Sequence, residues 1–356
     1  MIIQASDLKH KLKKLTPVKT ETYVFNTFGI CAQDSDVIVI VDGPWFSETF
    51  SVASKKLAGT VSRMSGDIDI ARQGNKLILA SAKARVELEV QTVKPKVFPE
   101  SPDKIMTLDA KSLRRALAVA AASASPAKSA AFGGVVQLRS LPPGLESGLP
   151  PGYRVAGTDS LVLTVAEVHE LVPFEFLSLL NLTAAGVVQI MDGDVIEFGD
   201  SDTCLQLKSG DTTVYASKPE KKYPNFDAHL TASPVVKFGF KSEELLAALR
   251  TVEPLIDESL DQGAVGLHFT PSVIQCTSVG VGSTARDESA CEQLDPDPVF
   301  DPQDLGIRLS GKYLSSFLSK AGENSTFGYR TKDDPVRLES DGVVVMMKTM
   351  VAKEKK

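Results

Sequence analysis

Lysine and arginine at helical spacing are the residues of this chain whose types and placement suggest chemistry, and that chemistry is electrostatic. Lys9, Lys11, Lys13 and Lys14 surround the apolar stripe Leu8, Leu12 and Leu15. Lys55, Lys56 and Arg63 flank Leu57, Val61 and Met64, and Lys111, Arg114 and Arg115 flank Leu113, Ala116, Leu117 and Ala120. Lys241 and Arg250 bracket Leu245, Leu246, Leu249 and Val252, and Lys312 and Lys320 accompany Tyr313, Leu314, Phe317 and Leu318. Each stripe predicts an amphipathic helix that buries the apolar side and exposes the cations. One helix at a time, such lysines are ordinary helix formers on a solvated face. Repeated on five helices of a chain whose formal net charge is −6, they suggest one surface set apart for a polyanion.

Covalent chemistry finds no comparable support. Gly280–Val281–Gly282 lacks the lysine and following helix of a phosphate loop, and there is no G-x-S-x-G and no H-E-x-x-H. Asp192 and Asp194 flank Gly193, a pattern that reads as a hairpin turn rather than an acid–base pair. Cys31, Cys204, Cys276 and Cys291 show no C-x-x-C spacing and His10, His169, His229 and His268 are scattered, so neither a zinc site nor a disulfide framework is expected. Asp295, Asp297, Asp301 and Asp304 lie in a proline-rich stretch that reads as a solvated loop, not as the metal cluster of a DNA-processing enzyme. The expectation is a non-enzyme without cofactor.

Six positioning elements recur. The cleanest spans Ser310–Met350: a helix capped by Ser310 and ended by Gly322, then strands Thr326–Arg330, Val336–Glu339 and Val343–Met350, the last after an Asp341–Gly342 turn. The same plan gives a helix from Ser6 to Leu15 with strands Glu21–Ala32 and Val37–Val41. A Ser54-capped helix follows, with Ile68–Arg72, Lys76–Ala80 and Arg85–Val93. An Asp109-capped helix precedes Gly134–Arg139 and Tyr153–Thr158. A helix beginning at Pro173 and carrying Phe176, Leu177 and Leu180 precedes Val187–Met191, Val195–Phe198 and Cys204–Lys208. Helix Lys241–Glu253 precedes Val265–Phe269 and Val273–Thr277. Proline-containing stretches at Pro95–Pro102 and 218–234 divide the repeats into three domains, 1–101, 102–230 and 231–356, the last with a basic tail. Leu141–Gly152 reads as a long exposed loop. The class is α+β, against the plainer reading of an unrelated α+β protein with several helices. No apolar run approaches a membrane span and residues 1–15 lack a signal-peptide pattern, so no membrane partner and a cytoplasmic location are expected.

In this order the chain resembles the bacterial-type DNA sliding clamps, the β subunit of the replicative polymerase, over essentially its whole length. Tyr223–Pro224–Asn225–Phe226 resembles the family's junction signature between the second and third domains, and Gly157–Thr158–Asp159–Ser160 its Ala-Thr-Asp-Gly. Lys312–Tyr313–Leu314 resembles its Tyr-Leu helix, and Val344–Val345–Met346–Met347 its closing Val-Val-Met-Pro-Met strand. The resemblance implies three tandem clamp-type domains, each of two βαβββ-like units with helices on one side and sheets on the other. Two chains then join head to tail in a ring around double-stranded DNA, opened by a clamp loader and tethering a DNA polymerase. It also implies a partner-peptide cleft at Thr158, Leu161, Leu163, Val345 and Met347, with Val265 on the third domain's first strand. Departures are present: Leu161–Val162 stand where the family often has His-Arg, Lys348 replaces a proline, and the middle domain's second helix has no cation. They fit a divergent member, a phage-encoded one included, and do not establish the source. The competing functional reading is a clamp-fold peptide-binding scaffold that does not encircle DNA.

Overall fold

The computed structural model describes residues 1–43, 45–93, 104–124, 134–141, 152–170, 172, 176–180, 186, 190–202, 204–218, 223, 226, 230, 232–256, 263–280, 283–294, 305–331 and 333–350. The Pro95–Pro102 linker, the interior of the 141–152 loop, the acidic 295–304 loop, Pro173, Pro224–Asn225 and the Val351–Lys356 tail lie outside them. Six successive segments follow, five of them running strand, helix, three strands. The first is β1 (Ile2–Gln4), α1 (Ala5–Leu15), β2 (Thr22–Phe25), β3 (Gly29–Gln33) and β4 (Val37–Asp42). The second is β5 (Phe50–Ala53), α2 (Ser54–Ser62), β6 (Asp67–Gln73), β7 (Lys76–Ala80) and β8 (Arg85–Thr92). Then come β9 (Lys104–Asp109), α3 (Ala110–Ser123), β10 (Val135–Leu141), β11 (Gly152–Thr158) and β12 (Val162–Val168). The fourth has β13 (Phe176–Leu180), helical residues at Gly186 and Ile190, β14 (Val195–Asp200), β15 (Cys204–Ser209) and β16 (Thr212–Ser217). The fifth is β17 (Val236–Lys241), α4 (Ser242–Val252), β18 (Ala264–Phe269), β19 (Val273–Gly280) and β20 (Ser283–Gln293). The sixth is β21 (Leu305–Ser310), α5 (Gly311–Leu318), β22 (Asn324–Tyr329), β23 (Val336–Ser340) and β24 (Val343–Met347).

Segments are knitted in pairs by strand exchange. The first strand of each pairs with the second strand of its sister: β1 with β6, β5 with β2, β9 with β14, β17 with β22 and β21 with β18. Two further pairings, β4 with β16 and β12 with β24, extend the ladders into two 12-stranded antiparallel sheets. Their orders are β1-β6-β7-β8-β5-β2-β3-β4-β16-β15-β14-β9 and β13-β10-β11-β12-β24-β23-β22-β17-β20-β19-β18-β21. The described residues divide into two compact units. One, 1–117 with 178–220, contains β1–β9 and β14–β16; the other, 118–177 with 221–356, contains β10–β12 and β17–β24.

Within the first unit α1 packs on α2, β1 and β4, and α2 on β2, β5 and β8. In the second, α4 packs on α5, β17, β19 and β20, and α5 on β21. The predicted stripes are the buried ones: Leu8, Leu12 and Leu15; Leu57 and Val61; Leu113 and Leu117; Leu245, Leu249 and Val252; Leu314, Phe317 and Leu318. Each such side chain contributes about 1.5–3 kcal/mol of apolar transfer.

Several expectations are corrected. Residues 21–32 form a hairpin rather than one strand, because the Asn26 carboxamide oxygen accepts from Phe28 N (2.9 Å) and Gly29 N (3.0 Å) and turns the chain. Ser54 does not cap α2; it is the first helical residue, and its hydroxyl donates to Thr20 O at 2.7 Å and Glu21 O at 3.0 Å. Asp109 does cap α3, accepting from Ser112 N at 2.7 Å. Ser310 holds the N-cap position of α5 without a side-chain cap bond. Phe176–Leu180 is strand β13 and not a helix: Leu177 and Leu179 are buried with Ser178 between them, a period of two that completes the sheet. Ile190 is helical where a strand was expected, so Asp192–Asp194 is a bend leading into β14 rather than a hairpin turn. The closing strand ends at Met347.

Candidate functional site

The basic residues differ in exposure and in the bonds they make within the protein. Lys13, Lys55, Lys56, Arg63, Lys111, Arg115, Lys241, Arg250 and Lys312 are exposed. Lys9 is exposed but donates to Met64 O at 2.8 Å, and half-buried Arg114 donates to Met191 O. Lys320 is exposed too; it reaches towards Ala118 O in the middle of α3 at 3.5 Å, and desolvation lowers its pKa below the ordinary 10.5. Lys11 pairs with Asp211 and donates to Asp42 O at 3.1 Å. Lys14 is only 6% exposed and sits between Asp211 (2.8 Å) and Asp192 (3.1 Å), with His10 2.9 Å from Asp192 on its other side. Burial works to raise the Asp211 carboxyl, but the Lys11 and Lys14 ammonium groups outweigh it and hold it at about 2. The same two aspartates overcome the burial that would lower Lys14 and raise it instead. Its charge is spent inside the protein.

The apolar candidates are sorted by strand register. Residues directly opposite one another in an antiparallel ladder share a face. Thr158 lies opposite Leu163, and Leu163 opposite Met346; Ala156 opposes Val165, and Val165 opposes Val344. These residues make one face. Val345 opposes Thr164, and Met347 opposes Val162, on the other. That second face meets the helices: Thr164 bonds Ser123 of α3, and Val345 shares a small cavity with Val119, Tyr313, Phe317 and Lys320. Gly157 is on it too, where a Cβ would lie 1.9 Å from Ala120 O, so only glycine lets α3 sit this close. Thr158 and Leu163 thus share one face of the sheet, and Val345 and Met347 lie on the opposite face. Val265 is fully buried on β18, which pairs with β19 and β21 and with neither β12 nor β24.

Met346, Val344, Tyr223 and Phe226 lie in motifs that the sequence offered, but neither they nor Leu230 were assigned to the cleft. Tyr223 and Leu230 pack with Leu163 on the buried cluster Ala156, Val165 and Phe226, the two aromatic rings edge to face at 5.9 Å. Burial raises the Tyr223 hydroxyl pKa, and that hydroxyl has no hydrogen-bond partner among the described residues. Arg337, opposite Met346 on β23, donates to Leu230 O at 2.6 Å and pins the junction to the sheet. At the end of β11, Leu161 stands 56% exposed on a turn whose Ser160 has φ 81°. The tyrosine–aromatic spacing of 223–226 was the available signal; the register that selects Met346 over Met347 was not.

Among the described residues no cluster of three His, Cys, Asp or Glu side chains could hold a metal, and no helix is long and apolar enough to cross a membrane. The four cysteines are free thiols; burial pushes Cys276 up to about 12 and Cys291 to about 11, far from a reactive thiolate.

No protein-family description and no curated protein sequence matches the chain. Solved structures do. A sliding clamp (DNA polymerase III subunit beta) from Bartonella birtlesii, bound to griselimycin, superposes with a TM-score of 0.84 at 12% identity, covering 99% of both chains. The DNA polymerase III beta subunit from Thermotoga maritima gives 0.83 at 14% identity over 98% of each chain. The Caulobacter crescentus pol III beta gives 0.83 at 15% identity over 98% of this chain and 99% of that one. The chain has the fold of a DNA polymerase III beta sliding clamp, end to end and at great sequence distance.

Proposed function

We propose that the protein is a sliding clamp, a non-catalytic processivity factor that encircles duplex DNA as a head-to-tail homodimer and tethers a DNA polymerase in the cytoplasm. The observation that carries the reading is the clamp fold over 98% of the chain, bearing exposed cations on α1–α5. Three domains, 1–101, 102–230 and 231–356, each knit two βαβββ segments, and two chains supply the six domains of a ring. Duplex DNA carries one charge per roughly 1.7 Å, so spread lysines and arginines attract phosphate without reading bases and impose no register. Lys13, Lys55, Lys56, Arg63, Lys111, Arg115, Lys241, Arg250 and Lys312 supply that field, with Lys9, Lys11, Arg114 and Lys320 partly committed to the protein itself. A clamp loader opens the ring. Partner peptides dock on the face carrying Leu163, Met346, Val344, Tyr223, Phe226 and Leu230, beside exposed Leu161; griselimycin, held by the Bartonella clamp, is the probe for that cleft.

Topology of the DNA tests encirclement. Protein loaded on a nicked circle is expected to stay at high salt, where surface ion pairs are screened within about 8 Å or less, and to leave within minutes once the circle is cut. Equal salt-driven loss from circular and linear DNA, after demonstrated loading, points instead to the non-encircling peptide-binding scaffold.

A further inference from the structure

Tyr313, on α5, sends its hydroxyl to Asp159 Oδ2, a contact across 154 positions of sequence. The other carboxylate oxygen of Asp159 accepts from Leu161 N at 2.9 Å and Val162 N at 3.0 Å. Thr158 Oγ1 donates to Val162 O at 2.7 Å, and Lys348 N, beyond β24, donates to Leu161 O at 2.9 Å. Bonds from a helix, a strand end and the segment after the last strand thus converge on one short turn. Its centre, Ser160, is held in the left-handed region at φ 81°, which an L-residue adopts only when its surroundings compel it. The side chain that this arrangement displays is Leu161, 56% exposed, at the rim of the face formed by Leu163 and Met346.

The Tyr313 ring lines the cavity with Phe317 and Val345, and burial together with the Asp159 carboxylate pushes its hydroxyl up to about 12. The group is therefore a hydrogen-bond donor throughout the physiological range. A donor that never ionises, spent on the one carboxylate that closes the turn, supports fixed geometry rather than a switch. Fixing a binding group before the ligand arrives removes an ordering cost from association.

We propose that Tyr313 is a positioning residue of the partner cleft: through Asp159 it fixes the turn that presents Leu161 to an apolar side chain of the incoming peptide. The proposal rests on the cleft reading above. It assigns Tyr313 an action through the turn, so its effect on binding must vanish when Leu161 is truncated.

The test uses the full chain with ¹³C-labelled leucine methyls and griselimycin as probe. Tyr313→Phe keeps the ring and removes the hydroxyl. It is expected to shift or broaden the Leu161 methyl signals while those of Leu314 and Leu318, in the α5 core, stay in place. Griselimycin affinity is expected to fall about tenfold in the otherwise unaltered chain and by less than twofold more in a Leu161→Ala background. Unmoved Leu161 signals, or the same tenfold loss in both backgrounds, overturn the proposal. Where Tyr313→Phe does not fold, Asp159→Asn, which keeps an acceptor for the turn amides, is expected to give the same methyl signature. A chain that ignores griselimycin while its Leu161 signals respond to Tyr313→Phe overturns the cleft reading and upholds the positioning contact.

Discussion

At the scale of single residues, neighbouring lysines on one helix have opposite work. Lys13 is exposed, whereas Lys14, one position on, is buried between Asp192 and Asp211. Lys13→Ala is expected to reduce the salt dependence of DNA binding by up to about one phosphate contact, with little change in stability. Lys14→Met should leave the salt slope unchanged and lower the melting temperature, since Asp192 and Asp211 lose the ammonium they share and keep only His10 and Lys11, a cost of about 1–3 kcal/mol. Titrating binding against salt, beside a melting curve, separates them. The same cluster sets an acid limit. Asp211 is depressed to about 2 from its ordinary 3.8, so its contribution is fully present above the ordinary value and is lost as pH falls through about 4 towards 2. Asp211→Asn should flatten that stretch of the stability–pH curve. A third residue carries backbone cost: Ser160 at φ 81° stands where the resembled motif has glycine. Ser160→Gly is expected to stabilise the chain by about 0.5–1 kcal/mol, measured by denaturant midpoint.

At the scale of elements, the register of β12 with β24 decides which methionine lies on the proposed peptide face. Met346 opposes Leu163, while Met347, 1% exposed, faces the helices opposite Val162. Leu163→Ala and Met346→Ala should each weaken peptide binding by about 1–3 kcal/mol. Met347→Ala should instead cost about 2–5 kcal/mol of folding stability and leave affinity in the folded protein nearly unchanged. Calorimetric titration with griselimycin and a denaturant series distinguish the two patterns, and a Met347→Ala chain that folds normally but loses ligand would reverse the face assignment. This is also where the sequence was least legible. Helices α1 to α5 announced themselves by stripes that the fold buries. The strands feeding them did not: β1, β5, β9, β17 and β21 run into their helices with no intervening loop, so no turn residue marks the change of period. Phe176–Leu180 read as helix because five apolar-rich residues fit either period until a partner strand chooses. Pairing register depends on residues about 180 positions apart in sequence and leaves no local trace.

At the scale of the molecule, the repeat count constrains the assembly. Sister segments exchange their leading strands, and on the proposed reading a domain is a pair of segments and the chain holds three. Among the described residues each sheet ends in a strand with a neighbour on one side only, and an uncovered edge invites uncontrolled pairing. Head-to-tail joining of identical chains either closes into a ring or grows as a filament; only closure uses every edge and stops. A six-domain ring closes with two chains. The expected solution mass is therefore about twice the 38.2 kDa of one chain, constant with concentration above the micromolar range. Light scattering after size exclusion reads it directly. A persistent 38.2 kDa species at those concentrations, or a mass that climbs without limit, is incompatible with a closed two-chain ring. If the dimer forms, high salt should leave its mass unchanged while abolishing retention on linear DNA. Edge pairing by backbone hydrogen bonds is far less sensitive to screening than the lysine and arginine contacts proposed for the duplex.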